Sequence, residues 1–392
     1  MTWSKCGRCW SDHNADAGKA YYGGRVQVFS ELGSVVGPIR SVDRNSMFPA
    51  EMYNQQYPDI EDVKRCKGNE RILRELLELP SRLIWADLKL KANGAPCFLP
   101  NIDKDGRRVW NLPEFEGWLA EPEIKHALDL GWQVESVGTI HHAGTVRPFD
   151  FYVNKFYNMR KEYKKNKDGR QLFCKLMLNS LYGKFGQRPT GERIDQDNRI
   201  SKIMDLDNWM NTWDLNFYDA DGDLPYMVKH SNLRMPRNQW MGFAAFITSY
   251  ARVNLNKVIL LAGDEVIYCD TDSVHYLESA HERMMSELDM GGELGQWELE
   301  TPKAIHKAIY WEAKVYVHFD KDNKRTLVKH KGVNVKDHKG QFLTNAGDLT
   351  KIQSSLSTFG YAESFRKNVE PGRKRLVMKK SRRHYNDDKE EK

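Results

Sequence analysis

The chain has 392 residues, enough for two or three compact units, and a composition typical of a soluble folded protein, with 40% hydrophobic and 29% charged residues. Its net charge of +6 is compatible with a polyanionic partner without requiring one. No apolar run approaches the roughly 20 residues of a membrane span, and the first residues carry no secretory pattern, so we expect a cytoplasmic protein with no membrane partner.

The amino-terminal segment contains Cys6-Gly-Arg-Cys9 and, nearby, His13. This spacing resembles half of a zinc site. Because a second pair of ligands is not evident, we favour a polar loop with reduced cysteines, and a zinc site is the alternative.

The hydrophobic pattern along the rest of the chain predicts alternating helices and strands, with no internal repeat. The predicted helices are 60–79, which begins at Asp59-Ile60-Glu61, and 121–130, 151–165, 170–183 and 241–261. The predicted strands are 21–29, a short strand ending at Asp43, two strands within 265–277, and 310–319. A hairpin turn is predicted at 103–106, and the polar segment 186–240 is predicted to be a hairpin-like insertion.

The segment 266–276 places Asp270 and Asp272 between apolar residues typical of strands. In an extended chain, side chains two residues apart leave on the same face, so two such carboxylates favour a bound cation. A hairpin whose turn simply prefers aspartate explains this segment equally well. A phosphoryl-transfer site with two divalent ions needs a further carboxylate, for which Asp43 is the candidate.

In the predicted helix 170–183, Lys175, Asn179 and Tyr182 are spaced i, i+4 and i+7 and share one face. A cation, an amide and an aromatic ring suit a triphosphate, a sugar or base edge, and a stacked base. The alternative is an ordinary amphipathic helix that carries a lysine. Leu176, Met177 and Leu181 occupy other faces of the helix, and we expect them to pack against the protein.

A polar turn at 166–169 folds the two flanking helices into an antiparallel pair. Arg160 lies eight residues before Asp168, and Lys175 lies seven after it. We therefore expect the two cations to stand level across the hairpin, where both could reach one polyphosphate.

These segments together resemble three motifs of the family B DNA polymerases, and most of all those of the protein-primed phage branch. The sequence 268–273 is similar to motif C, 175–183 to motif B nearly residue for residue, and 42–49, less closely, to motif A. Three motifs in the family's order are far more specific than any one of them.

Further similarities lie outside the three motifs, and the resemblance spans roughly residues 20–335. Tyr21-Tyr22-Gly23-Gly24 resembles the template-binding Tyr-x-Gly-Gly element of the family. The segments 294–298 and 314–316 resemble the region after motif C, whose lysine and tyrosine contact the primer.

The resemblance implies a site with two Mg²⁺ ions, for which Mn²⁺ can substitute. Asp43 and Asp272 would bind the ions, Asp270 would support the primer terminus and the metal site, and the backbone carbonyl of Arg44 would complete one coordination sphere. The primer 3′-hydroxyl would attack the α-phosphate of a dNTP paired with a DNA template, and pyrophosphate would leave.

It also implies which residues contact the nucleotide and the DNA. The nucleotide contacts are Lys175 and Arg160 on the triphosphate, Asn179 and Tyr182 in the pocket, and Phe48 at the position that blocks a ribose 2′-hydroxyl. The DNA contacts are Tyr21, Gly23, Gly24, Ser46, Lys314 and Tyr316.

The implied fold is α+β, a right-hand polymerase with palm, fingers and thumb and with the two insertions of the protein-primed branch. The predicted divisions are an amino-terminal segment 1–40, palm 41–84, first insertion 85–150, fingers 151–189, second insertion 190–238, palm 239–320, and a thumb with a basic tail 321–392. In the family the insertions contact the priming protein and downstream DNA, which implies strand displacement.

Three departures from the family pattern affect the prediction. About twenty residues precede the Tyr-x-Gly-Gly element, where relatives usually carry a 3′–5′ exonuclease, so we expect no intrinsic proofreading, with the exonuclease absent or on a separate subunit. Phe48 replaces the common tyrosine, which leaves RNA synthesis open as an alternative. Arg44 is atypical and adds positive charge beside Asp43.

We therefore predict a DNA-directed DNA polymerase of a phage or mobile element that is primed by a terminal protein. One alternative is the same enzyme with conventional primers or none. Another is a non-catalytic subunit that binds DNA or the priming protein. The three aspartates argue against the second alternative, because an acidic cluster without metal would only weaken DNA binding.

Overall fold

The computed structural model describes residues 12–103, 108–187, 190–195, 227–234 and 239–330. The chain divides into two compact units, Met1–Gln187 with Arg237–Phe342, and Arg188–Pro236 with Leu343–Lys392. The described helices are α1 (Asp12–Lys19), α2 (Met47–Asn54), α3 (Glu70–Leu77), α4 (Glu121–Asp129), α5 (Asp150–Lys165), α6 (Arg170–Phe185), α7 (Met241–Ala262) and α8 (His281–Glu287).

The strands, numbered in chain order, form sheets that are antiparallel at every described pairing. They are β1 (Val26–Val28), β2 (Val35–Val36), β3 (Ile39–Arg44), β4 (Tyr57–Pro58), β5 (Lys64–Lys67), β6 (Arg82–Lys91), β7 (Asn101–Ile102), β8 (Arg108–Val109), β9 (Glu114–Ala120), β10 (Gln133–Val146), β11 (Thr190–Asp195), β12 (Met227–Arg234), β13 (Val266–Asp270), β14 (Ser273–Leu277), β15 (Trp297–Leu299), β16 (Lys307–Glu312), β17 (Val315–Phe319) and β18 (Arg325–His330).

The first sheet of the larger unit has the order β1-β13-β14-β3-β15. Its apolar face, which includes Val42 and Val274, packs with Leu255 and Val258 of α7 in one buried cluster. The strand ends that carry Asp43 and Asp270 therefore rest on a rigid support.

Helix α7 is apolar on nearly all sides, as expected for a helix buried among other elements. It packs against α1, α2, α4 and α6, and it ends at Gly263, whose φ of +60° terminates the helix. This buried helix confirms the prediction at 241–261.

The second sheet has the order β4-β10-β6-β9, with β5 also paired to β10. Helices α3 and α4 cover it with apolar residues such as Leu73 and Ile124. The third sheet has the order β18-β17-β16-β2, and all five residues of β17 are buried.

Helices α5 and α6 form the predicted pair. The Tyr152 hydroxyl donates a hydrogen bond to the carbonyl of Met177 at 3.0 Å, which joins the two helices. Asp168 accepts from the backbone N–H of Arg170 at 2.8 Å and so stabilises the start of α6.

Several sequence predictions are wrong at the level of single elements. Residues 60–79 are not one helix, because 64–67 pair with β10 and the helix starts only after Asn69, whose side chain accepts from the N–H of Ile72 at 2.9 Å. Asp59 accepts from the N–H of Glu61 in a turn and does not start a helix.

Two predicted strands are also corrected. The segment 310–319 is a hairpin of β16 and β17, and Lys314 in its turn has a φ of +64°. In the segment 21–29 only Val26–Val28 is a strand, because Gly23 adopts a φ of +80°. The pairing of β7 with β8 agrees with the hairpin predicted around 103–106, most of which lies outside the described residues.

The smaller unit contains the hairpin of β11 and β12, as the composition of 186–240 predicted. Residues 188–189, 196–226 and 235–238 and all residues after 330 lie outside the described part. Among the described helices, none has the length and apolarity needed to cross a bilayer. The predicted domain divisions stay predictions, and the one at 84/85 falls inside β6.

Candidate active site

The acidic turn joins β13 to β14. Asp270 ends β13 opposite Ser273, and Thr271 and Asp272 form the loop between them. The N–H of Asp272 donates to the carbonyl of Asp270 at 2.6 Å across Thr271, whose φ is +63°. The sequence suggested that the two aspartates lie in one extended segment. They do not, because Asp270 ends a strand and Asp272 lies in the turn that follows it.

Asp43 lies on β3 directly opposite Ser273 of β14 and Glu298 of β15. The next residue ties the two segments together, because the N–H of Arg44 donates to the carbonyl of Asp272 at 2.8 Å. Pairing between strands that are distant in sequence thus brings motif A and motif C into contact.

Both carboxylates of this pair have raised pKa values, so their charged forms are disfavoured. Burial, then the charges of Asp272 and Glu300, raise the pKa of Asp43 to about 7, against the opposing effect of Lys175. Burial, and then the charge of Asp270, raise the pKa of Asp272. Both carboxylates would be stabilised in their charged form by a nearby cation.

The donor set fits Mg²⁺, which binds through one or two carboxylates and takes its other ligands from water and substrate phosphates. Asp43 and Asp272 supply two such carboxylates. Within the described residues, no group of three or more His, Cys, Asp and Glu side chains is arranged to hold a metal ion. The remaining ligands would therefore come from other donors, such as backbone carbonyls, substrate or water.

Asp270 is engaged differently from the other two aspartates. Nζ of Lys314 donates to both of its carboxylate oxygens, at 2.7 and 2.8 Å, and the Tyr268 hydroxyl donates to Oδ2 at 3.1 Å. The N–H of Lys314 donates in turn to the Tyr268 hydroxyl at 3.2 Å. Tyr316, predicted to contact DNA, is buried with its ring 5.2 Å from that of Tyr268.

Helix α6 places the predicted nucleotide-binding face next to the acidic site. Lys175 and Asn179 are exposed, and Tyr182 is half-buried. Lys175 is close enough to lower the pKa of both Asp43 and Asp272.

The prediction that Leu176 packs is wrong. Its side chain is 64% exposed, whereas Cys174 and Leu178 are buried. Leu181 packs against the core as predicted, but the buried side of α6 is centred on Cys174 and Leu178.

Arg160 reaches the site from α5. Its Nη1 donates to Oγ of Ser46 at 2.9 Å, and Ser46 precedes α2 with a φ of +52°. Since Ser46 follows Asp43 by three residues, Arg160 and Lys175 both lie beside the same end of β3.

Phe48 and Tyr182 contact each other. Their ring centroids are 4.2 Å apart with an angle of 32° between the planes. This contact joins α2 to α6. It brings together two residues, from motif A and motif B, that were both predicted to contact the nucleotide.

Arg44 does not add a free positive charge to the site, contrary to the sequence expectation. Its Nη1 pairs with the fully buried Glu51, and its Nε donates to the carbonyl of Gly295 at 2.8 Å. Asn254 of α7 also donates to Glu51, at 2.7 Å. Glu51 carries no motif signal, and its partners are revealed only by the fold.

The Tyr-x-Gly-Gly element runs beside the acidic turn. The N–H of Thr271 donates to the carbonyl of Arg25 at 2.8 Å. A Cβ on Gly24 would lie 2.7 Å from Oγ1 of Thr271, so only glycine fits there. Tyr21 lies against the end of α6, since a Cβ on Gly186 would be 2.5 Å from its ring.

Sequence reasoning also missed Glu300. The Ser41 hydroxyl donates to its carboxylate, and burial, together with the charge of Asp272, raises the pKa of Glu300. Strand alternation puts Glu298 and Glu300 on one face, but nothing local indicates that this face adjoins β3.

Neither the favoured polar amino-terminal loop with reduced cysteines nor the alternative zinc site is tested by the structure. Cys6 and Cys9 lie outside the described residues. His13 lies on α1 with its ring centroid 6.3 Å from that of His141.

Comparison with known proteins identifies relatives of the chain. The family described as "DNA polymerase type B, organellar and viral" matches residues 16–241, which is more than half of the 392 residues. A "Probable DNA polymerase" of Neurospora intermedia is 26% identical over 272 residues, covering 65% of this chain and 26% of that protein. The "DNA polymerase" of Bacillus phage phi29 is 24% identical over 340 residues, covering 83% of this chain and 51% of that protein.

The fold is that of solved phi29 DNA polymerase structures. An orthorhombic crystal form has a TM-score of 0.62 at 19% identity, covering 82% of this chain and 56% of that one. A complex of that enzyme with primer-template DNA and incoming nucleotide substrates has a TM-score of 0.60 at 18% identity, covering 82% of this chain and 55% of that one. The chain thus spans about a quarter to a half of the length of the relatives it matches.

Proposed function

Because the chain belongs to the organellar and viral type B DNA polymerases, we propose that it catalyses template-directed DNA synthesis at the site formed by Asp43 and Asp272. The observation that carries the proposal is the backbone contact that brings Asp43 beside Asp272, together with the raised pKa values of both carboxylates and the opposing effect of Lys175 on them. Such a site favours a divalent cation and a polyphosphate together.

In this proposal Asp43 and Asp272 hold the divalent ions, with the backbone carbonyl of Arg44 as a further ligand. Bound there, the ions would lower the pKa of the primer 3′-hydroxyl and neutralise charge on the pyrophosphate leaving group. Lys175 and Arg160 bind the triphosphate from the side of α5 and α6, which orients the α-phosphate toward the primer.

Lys314 and Asp270 mark the primer side of the site. Their ion pair, at 2.7 and 2.8 Å, fixes the turn between β16 and β17 beside the acidic turn. We expect this pair to open or shift when the primer phosphate competes for Lys314. Ser46 and the element 21–24 supply further DNA contacts.

Phe48 and Tyr182, together with Asn179, line the nucleotide pocket in this proposal. A phenyl ring at position 48 obstructs a ribose 2′-hydroxyl by size alone.

We expect Phe48→Ala to raise the ratio of ribonucleotide to deoxyribonucleotide incorporation, measured with single rNTPs and dNTPs. The variant Phe151→Ala, at an 80% exposed phenylalanine of α5, should leave that ratio unchanged. Equal use of rNTPs and dNTPs by the unmodified protein would favour the alternative of RNA synthesis.

Protein priming and strand displacement are the finer parts of the proposal. They are supported by the match to organellar and viral type B polymerases and by the hairpin of β11 and β12 in the smaller unit. Replacing the DNA primer by a terminal protein tests priming. The expected lack of proofreading stays a prediction, which excision of a mismatched primer end would contradict.

The activity itself is tested with four primed templates that differ in the first unpaired base. With Mg²⁺ present, we expect each template to direct addition of its complementary dNTP alone. Addition that ignores the template base, or no addition with any divalent ion and any primer, would contradict the proposal.

A further inference from the structure

Helix α7 carries a buried arginine that the sequence motifs do not include. Arg252 is 2% exposed and forms a two-point ion pair with Glu123 of α4, at 2.8 and 2.5 Å, and Glu123 is fully buried. The remaining terminal nitrogen of Arg252, Nη1, donates to the backbone carbonyl of Gly23 at 2.6 Å. A planar guanidinium can serve both partners at once, whereas a lysine ammonium is a point charge on a flexible stem.

A second contact from the same helix holds the next part of this segment. Oδ1 of Asn256, one helical turn beyond Arg252, accepts from Nη1 of Arg25 at 2.7 Å. The carbonyl of Arg25 accepts from the N–H of Thr271 in the acidic turn at 2.8 Å. Helix α7 therefore fixes both Gly23 and Arg25, between which Gly24 packs on Thr271.

Within the described residues, the segment fixed in this way has one open side. Gly23 has a φ of +80°, and no heavy atom of the described residues, its chain neighbours apart, lies within 4 Å of the place where its Cβ would be. A backbone with no side chain and open space above it allows close approach of another chain. A nucleic-acid strand that passes the acidic turn could approach here.

A buried ion pair is weak evidence for stability, because the desolvation of two charges offsets much of their attraction, and apolar replacements are often neutral or stabilising. The ion pair also orients Arg252 so that its Nη1 donates to the carbonyl of Gly23. We propose that Arg252, oriented by Glu123, is a positioning residue that sets the conformation of the segment 21–24 for binding the template strand. This inference rests on the proposed function.

The test removes the pair without leaving an unpaired buried charge. In Arg252→Met combined with Glu123→Leu, we expect the dissociation constant for a fluorescent template-primer to rise about tenfold, the scale of one lost charged hydrogen bond. The KM for DNA should rise in parallel, whereas kcat at saturating DNA and the unfolding temperature should change little. A purely structural role would lower the unfolding temperature and the active fraction and leave the affinity of the folded protein unchanged.

The matched control is the two-point pair of Arg40 and Glu278, at 2.6 and 2.8 Å, which does not contact the segment. Arg40→Met with Glu278→Leu should leave DNA affinity unchanged. If the first double variant does not fold, Arg252→Lys is the second test. It keeps the buried charge but loses the planar guanidinium that contacts Glu123 and Gly23 together, and we expect this variant also to bind DNA more weakly. Unchanged affinity in folded variants would overturn the inference, whereas failure of the unmodified protein to bind or extend DNA would contradict the proposed function itself.

Discussion

His126 of α4 is kept neutral by burial and lies at the end of a chain of hydrogen bonds. Nη1 of Arg25 donates to Oδ1 of Asn256, so the amide nitrogen of Asn256 must donate to Nε2 of His126, 2.9 Å away. Burial, and then the charge of Lys257, lower the pKa of His126 to about 4. A protonated ring would lose the bond from Asn256.

This arrangement predicts acid sensitivity with a defined sign. Folding lowers the pKa of His126 from the ordinary 6.5, so the unfolded chain binds the proton first as the pH falls. The contribution of the neutral His126 to stability is therefore complete above pH 6.5 and is lost as the pH falls toward 4. One such group changes the free energy of unfolding by at most about 1.4 kcal/mol per pH unit in that window.

The measurement is denaturant unfolding at pH 7, 6 and 5. His126→Gln keeps an acceptor for Asn256 and should show a shallower loss of stability between pH 6.5 and 5 than the unmodified protein. His306→Gln, at an exposed histidine, should follow the unmodified protein. Identical slopes for all three proteins would show that His126 titrates normally in the folded state.

At the scale of elements, the pair of α5 and α6 carries the proposed triphosphate site. Lys175→Ala should raise the KM for dNTP roughly 10- to 100-fold, as expected for loss of a hydrogen bond to a charged group. Its effect on affinity for template-primer should be small. The readout is single-nucleotide incorporation at varied dNTP concentration.

Lys184→Ala provides the control, since Lys184 is also an exposed lysine of α6. An equal rise in KM for both variants would indicate a general effect of charge. No rise for Lys175→Ala would remove Lys175 from the nucleotide site.

Local patterns were sufficient for some elements and not for others. The α5–α6 pair, α7 and the acidic hairpin were predicted because periodicity and turn residues determine them within the segment. The helix predicted at 60–79 failed because Gly68 packs on Gly138 and β5 pairs with β10, far along the chain.

The same distinction holds for the site. Asp43, Asp270, Asp272 and Lys175 stand in recognisable motifs. The partners that hold the site in place do not: Glu51 lies 203 residues from its partner Asn254, and Glu123 lies 129 residues from Arg252. Pairings over such separations are set by the assembled fold and leave no periodic trace in the sequence.

At the scale of the whole molecule, residues 188–238 can be removed experimentally, because the chain enters and leaves this segment at neighbouring positions. Within the larger unit, Nε2 of Gln239 donates to the carbonyl of Gln187 at 2.6 Å, so the two ends that border residues 188–238 are adjacent. A linker of a few Gly and Ser residues can therefore replace that segment with little disturbance of the larger unit.

We expect the protein with this replacement to extend a primer on single-stranded template as the unmodified protein does, but to stop at a downstream duplex. The assay compares open and blocked templates. Equal displacement by both proteins would contradict the assignment of 190–238 as the strand-displacement insertion. Loss of extension on the open template as well would indicate a wider role for this segment.

Asp272→Asn tests most directly whether Asp43 and Asp272 form the catalytic site. The substitution keeps size and removes charge, so Mg²⁺-dependent primer extension should fall by more than about a hundredfold, since loss of even a ligand's supporting partner costs roughly 10- to 100-fold. Asp264→Asn, an exposed aspartate just before β13, should retain full extension. Extension by Asp272→Asn at the rate of the unmodified protein, with template-primer affinity unchanged, would show that Asp272 does not hold a catalytic ion.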